Sequence, residues 1–148
     1  MALHHATCVA FAGSAALLQG PSGSGKSDLA FRLIDAGGRL VADDQVEIGA
    51  RDGALWASPP TAIAGLMEVR GIGLVRLPYL AEARVRAVVA LTAPAEIERL
   101  PEGEMITLEG ISLPLLRLAP FEVSAVAKLK LMLRRGGRKL GSCAPDGA

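Results

Sequence analysis

Apolar side chains dominate residues 6–20, with a break at Gly13, and the pattern predicts two short strands leading into a glycine-rich turn. Over residues 26–36 the residue types and their spacing are helical, and Gly37 and Gly38 end that helix. In the stretch 39–43 three central residues are apolar in succession, the signature of a strand covered on both faces. That strand is expected beside the one that ends at Gly20. Further strands are predicted at 46–48, 54–57, 66–69, 74–77, 85–91, 105–108 and 111–116, separated by glycine and proline. Strands so outnumber helices that the pattern argues against a plain alternating βα fold. A second helix is predicted over 121–135, with Phe121, Ala125, Leu129, Met132 and Leu133 on one face and Gly136 and Gly137 at its end. These elements predict one domain over 1–137 and a short polar tail, 138–148, expected to be mobile.

Composition narrows the possibilities. The chain has 148 residues, 51% of them apolar, enough for a single packed core. A formal charge of +1 and 3% aromatic residues provide neither a broad basic surface nor a stacking platform, so no nucleic-acid or membrane partner is expected. Cys8 and Cys143 lie far apart without metal-ligand spacing and are read as unpaired thiols. Residues 1–5 lack a leader pattern, and charges interrupt the later apolar runs, so a cytoplasmic location is expected. The basic positions Lys128, Lys130, Arg134, Arg135, Arg138 and Lys139 are read first as a solvated helix face and tail, with docking of an acidic protein as the alternative.

The strongest local signal is Gly20-Pro21-Ser22-Gly23-Ser24-Gly25-Lys26-Ser27, which fits G-x-x-x-x-G-K-[ST] between a predicted strand and a predicted helix. Glycines let successive backbone N–H groups face one concave site, and the helix N-terminus adds positive potential. Lys26 is placed to reach the outer phosphates of a nucleotide and Ser27 to offer its hydroxyl to magnesium. ATP and Mg²⁺ are therefore the expected ligands.

Asp43-Asp44 ends the next strand, so both carboxylates are expected to emerge on the phosphate-loop side of the sheet. If the strand continued through the pair, only one acid would face the transferred phosphoryl. One acid can hold the magnesium shell while the other serves as a base beside an acceptor hydroxyl, and spacing alone does not assign them.

Taken in order, the phosphate loop, the string Leu40-Val41-Ala42-Asp43-Asp44 and the string Glu68-Val69-Arg70-Gly71-Ile72-Gly73 make the chain resemble the catalytic domain of HPr serine kinase/phosphorylase. The resemblance covers about residues 5–135, is weakest after Leu91 and leaves that family's N-terminal domain without a counterpart. It implies an α/β fold: a P-loop kinase domain with a strand-rich mixed sheet and few helices, like the HPr kinase and phosphoenolpyruvate carboxykinase domains. It further implies an active-site role for His5, a base at Asp44 with Asp43 as the alternative, and a second magnesium ligand at Glu68. Residues 70–73 match a loop used in both directions of the reaction, with Arg70 available to neutralise phosphate charge. Glu98-Arg99-Leu100 resembles the segment supplying another active-site arginine, Arg99.

The implied reaction is transfer of the ATP γ-phosphoryl to a seryl hydroxyl of an HPr-type phosphocarrier protein of a sugar phosphotransferase system. Association is implied by analogy, since the related catalytic domains form hexamers. Two departures stand out. A basic segment linked in the family with dephosphorylation is replaced by Leu113-Pro114-Leu115-Leu116-Arg117-Leu118-Ala119-Pro120, where only Arg117 remains, which counts against the phosphate-driven reverse reaction. Asp28 stands where glutamate is usual, so its reach toward a metal shell is shorter. The rival readings are a P-loop small-molecule kinase or NTPase, and a nucleotide sensor without turnover.

Overall fold

The computed structural model describes residues 1–136, so the tail 138–148 and Cys143 lie outside the described residues. Eleven strands and two helices follow one another along it. They are β1 (Ala2–His4), β2 (Thr7–Phe11), β3 (Ser14–Gln19), α1 (Lys26–Asp35), β4 (Arg39–Ala42), β5 (Val46–Arg51) and β6 (Ala54–Ser58), then β7 (Leu66–Val69), β8 (Gly73–Arg76), β9 (Ala83–Leu91), β10 (Glu104–Leu108), β11 (Ile111–Leu118) and α2 (Ala125–Arg134).

The main sheet runs β1-β5-β6-β9-β3-β2-β4. β9 is long enough to share one edge: Ala83, Arg84 and Val85 pair antiparallel with β6, and Val88, Val89, Ala90 and Leu91 pair parallel with β11. β10 closes that branch as the antiparallel partner of β11. β7 and β8 form a separate hairpin. This mixed, strand-rich architecture with two helices is the fold class expected from the sequence.

Period-two alternation divides the core. In β2 and β3, Cys8, Ala10, Ala15 and Leu17 join one apolar cluster with Ile48, Leu55 and Leu113, whereas Val9, Ala16 and Leu18 join another with Leu29, Leu33, Leu129 and Leu133. The second cluster packs the helices on the sheet. β4 is apolar in succession because Leu40 belongs to the helix-side cluster and Val41 to the other.

Two expectations are corrected. β4 does not lie beside β3. The tight turn after Phe11 folds β2 back onto β3, and β2 then occupies the place next to β4. The second helix begins at Ala125, not at Phe121: Glu122 N–H bonds the Ala119 carbonyl and Ala125 N–H the Glu122 carbonyl, both turn bonds. Ala125, Leu129, Met132 and Leu133 are buried as the apolar stripe requires, but Phe121 falls outside the helix and is exposed. Of the basic positions within the described residues, Lys128 pairs with Glu122 at 2.9 Å, and Lys130 and Arg134 lie over the Phe11 ring.

Among the described residues no helix is long and apolar enough to cross a membrane. Cys8 is fully buried, and burial pushes its thiol well above the ordinary range. The folded state thus favours the neutral thiol; this contribution is present below the unfolded pKa of about 8.5 and is lost as pH rises beyond it. Iodoacetamide at about pH 8 is expected to spare the Cys8 peptide in the native protein and to label it after unfolding in urea. Native labelling of Cys8 at the unfolded rate, read by peptide mass mapping, would contradict this.

Candidate functional site

β3, β4, β9 and β11 all end at one edge of the sheet. β3 runs parallel to β9, and β9 to β11. β2 is antiparallel to both β3 and β4, so those two strands share a direction and the start of β2 lies between their ends. The phosphate loop, the acid pair, His5 and the segments after Leu91 and Leu118 therefore emerge together.

The loop has the shape the motif requires. Gly23 and Gly25 take φ of +81° and +103°, conformations costly to any side chain. A Cβ on Gly20 would stand 2.5 Å from the Ser24 hydroxyl oxygen, and one on Gly25 would stand 2.8 Å from the Phe121 ring. Among the described residues no side chain caps the N-terminus of α1, and its first N–H groups lack an internal partner there. Among the described residues the Ser24 hydroxyl is buried without a hydrogen-bond partner. Lys26 is 8% exposed, its ammonium folded back onto the Gly20 carbonyl at 2.6 Å and the Pro21 carbonyl at 3.1 Å. A glycine-lined cradle with an orphaned hydroxyl and a buried cation fits a phosphate chain.

The acids separate in an unexpected way. β4 ends at Ala42, and the Gln45 N–H closes a three-residue turn on the Asp43 carbonyl at 2.8 Å, with Asp44 at its centre at φ +68°. That turn, not the alternation of a continuing strand, sends the carboxylates in different directions. Asp43 Oδ1 accepts hydrogen bonds from the hydroxyls of Ser27 at 2.7 Å and Thr7 at 3.1 Å. Asp44 is exposed and lies 3.6 Å from His5 Nε2, both side chains open to solvent.

The donor chemistry suits a hard cation. Ser27 commits its proton to Asp43, so its lone pairs remain for a metal. Among the described residues no group of three or more His, Cys, Asp or Glu could hold a metal by itself, and magnesium is ordinarily held by one or two carboxylates together with substrate phosphates.

Other expected site residues lie apart from this network. Glu68 is an exposed position of β7 beside buried Met67, which anchors the hairpin in the helix-side core. Arg70 is in the exposed turn joining β7 and β8. Arg99 is exposed in the irregular segment after β9. Among the described residues none of the three makes a hydrogen bond or ion pair with the phosphate loop or the acids. Asp28 is held by Arg32, 2.9 Å away, whose guanidinium also donates to the Pro120 carbonyl. Thr7, which no motif singled out, and Phe121 against Gly25 are the additions of the structure.

The model of the HPr Serine kinase C-terminal domain matches residues 1–102. The HPr kinase/phosphorylase of Streptococcus thermophilus is 36% identical over 126 residues, covering 77% of this chain and 41% of the relative. That of Streptococcus equi subsp. zooepidemicus is 35% identical over the same coverage. The chain thus spans about two fifths of the length of these curated relatives, 41% in each case. Among solved structures, the Hpr(Ser) kinase/phosphatase from Coxiella burnetii superposes with a TM-score of 0.80 at 22% identity, covering 90% of this chain and 95% of that one, a likeness of fold.

Proposed function

Because the chain belongs to the family of the HPr serine kinase C-terminal domain, we propose that it is an ATP-dependent protein serine kinase whose acceptor is an HPr-type phosphocarrier protein of a phosphotransferase system. The observation that carries this reading is the 2.7 Å bond from Ser27 to Asp43 with Asp44 turned outward beside it. One acid is tied to the phosphate cradle and its neighbour is left open to an incoming hydroxyl.

In the proposed reaction the loop amides and Lys26 hold the triphosphate, Lys26 exchanging the Gly20 and Pro21 carbonyls for phosphate oxygens. Asp44 takes the seryl proton as the seryl oxygen bonds to the γ-phosphorus and the bond to the β-γ bridging oxygen breaks, releasing ADP. His5 lies close enough to orient Asp44 or to share its proton. Ser27, with Asp43 behind it and Glu68 as a further ligand, would hold Mg²⁺, which offsets charge on the phosphate oxygens when bound. Arg70 and Arg99 are the arginines proposed to complete charge stabilisation. A phosphate-facing arginine contributes about 10³- to 10⁵-fold and a base about 10²- to 10⁴-fold, so the ceiling for charge stabilisation lies above that for proton transfer.

Arg117 bears on the reverse reaction. Its guanidinium makes a bidentate pair with Glu104 at 2.7 and 2.9 Å, so it has its own carboxylate partner, and the kinase direction is the one we favour. A cytoplasmic setting and self-association belong to the same proposal.

The test is transfer of labelled γ-phosphate from ATP to purified HPr, measured against release of free phosphate, with mapping of the labelled residue. Label on a serine of HPr is expected. Phosphate release alone would favour a P-loop NTPase, and nucleotide binding without turnover a sensor; either result sinks the proposal.

A further inference from the structure

Thr7 opens β2 and is 0% exposed. A buried hydroxyl needs hydrogen-bond partners, and both of its partners belong to the acid turn. It donates to Asp43 Oδ1 at 3.1 Å and accepts the Asp44 N–H at 3.2 Å. Register explains the placement: Thr7 pairs with Leu18 near the end of β3, and the next residue, Cys8, pairs with Ala42 at the end of β4. Its side chain therefore stands between the strand that delivers the phosphate loop and the strand that delivers the acids.

The turn it touches needs holding. A three-residue turn with φ of +68° at its centre is of the strained hand, and such backbone persists only where the surroundings over-determine it. Asp tolerates positive φ better than most residues, but tolerance does not select one conformation. The Thr7 oxygen supplies an acceptor that the Asp44 N–H reaches in this turn. Its proton meanwhile fixes the rotation of the Asp43 carboxylate toward Ser27.

We infer that Thr7 is a positioning residue: through its two opposite hydrogen bonds it locks the Asp43-Asp44 turn, so that Asp43 stays on Ser27 while Asp44 is presented outward beside His5. Thr7 touches no reacting atom and acts through both acids. The catalytic consequence rests on the kinase reading above, whereas the turn itself does not.

Two variants separate the hydroxyl from the methyl. Thr7→Val keeps shape and apolar contact but leaves the Asp44 N–H without its acceptor; Thr7→Ser keeps the hydroxyl and opens a small void. In phosphoryl transfer to HPr, Thr7→Val is expected to lower kcat roughly 10- to 100-fold, the scale of a small misplacement of a reacting group, with the KM for ATP within about threefold. Thr7→Ser is expected to retain kcat within about threefold although its void lowers the urea midpoint. A merely structural role predicts instead that kcat follows the urea midpoint. Independently of activity, hydrogen exchange followed by NMR should show the Asp44 amide protected in the native protein and at least about tenfold faster in Thr7→Val.

Wild-type kcat in Thr7→Val, or an unprotected Asp44 amide in the native chain, overturns the inference. Should Thr7→Val fail to fold, exchange at Asp44 in the unmodified protein decides alone. Should the unmodified protein phosphorylate no phosphocarrier serine, the kinase reading falls, and the exchange rate still decides whether Thr7 holds the turn.

Discussion

Asp44→Asn is expected to lower phosphoryl transfer to HPr by about 10²- to 10⁴-fold, the contribution of a positioned base, while ATP affinity in the presence of magnesium stays within about threefold. The reason is the division between the two acids. Asp44 bonds none of the phosphate-loop groups and faces His5 and solvent. Asp43 accepts the Ser27 and Thr7 hydroxyls on one oxygen, so Asp43→Asn is expected to weaken magnesium-dependent nucleotide binding as well as turnover. Calorimetric titration with ATP, with and without Mg²⁺, beside single-turnover transfer separates the two outcomes. Equal loss of nucleotide affinity in both variants, or normal turnover by Asp44→Asn, would remove Asp44 from the role of base.

The second large effect is expected at Gly25. Gly25→Ala imposes a side chain at φ +103° and aims its methyl at the Phe121 ring, 2.8 Å from the nearest carbon. These penalties differ in kind. Phe121 is 70% exposed, and its ring can swing away. The backbone cannot, and holding an L-residue there costs on the order of 1–3 kcal/mol. The loop either turns its amides out of the cradle or passes that cost to the ligand, a loss of roughly 5- to 150-fold in affinity for ATP. Adding Phe121→Ala to Gly25→Ala should recover only a minor part of the loss. Unchanged ATP affinity in Gly25→Ala would show that the phosphates do not rest on this turn.

These expectations draw on the chain in unequal measure. The strand residues of β2 and β3, the glycine-rich motif and α1 were legible because their information is local: alternation selects which side chains are buried, and glycine spacing selects where the backbone turns tightly. The resemblance to the HPr kinase catalytic domain was legible for the same reason, being carried by short ordered strings, and the family match agrees with it. Phe121 was misread because its phase suits the apolar stripe of α2, although the chain before Ala125 is occupied by turns and by the Arg32 contact with Pro120.

The sequence by itself determined that a glycine-rich G-x-x-x-x-G-K-[ST] loop precedes an acid pair, that the sheet is mixed and strand-rich, and that two helices accompany the strands. Only the tertiary structure decided that β2 separates β3 from β4, that Asp43 turns to Ser27 while Asp44 turns to His5, and that an unremarked threonine joins both acids. The physical reason is range. Burial and turn propensity are encoded within a few residues, but a hydroxyl at position 7 meets acids at 43 and 44 only through strand register, which depends on every strand in the sheet finding its neighbour.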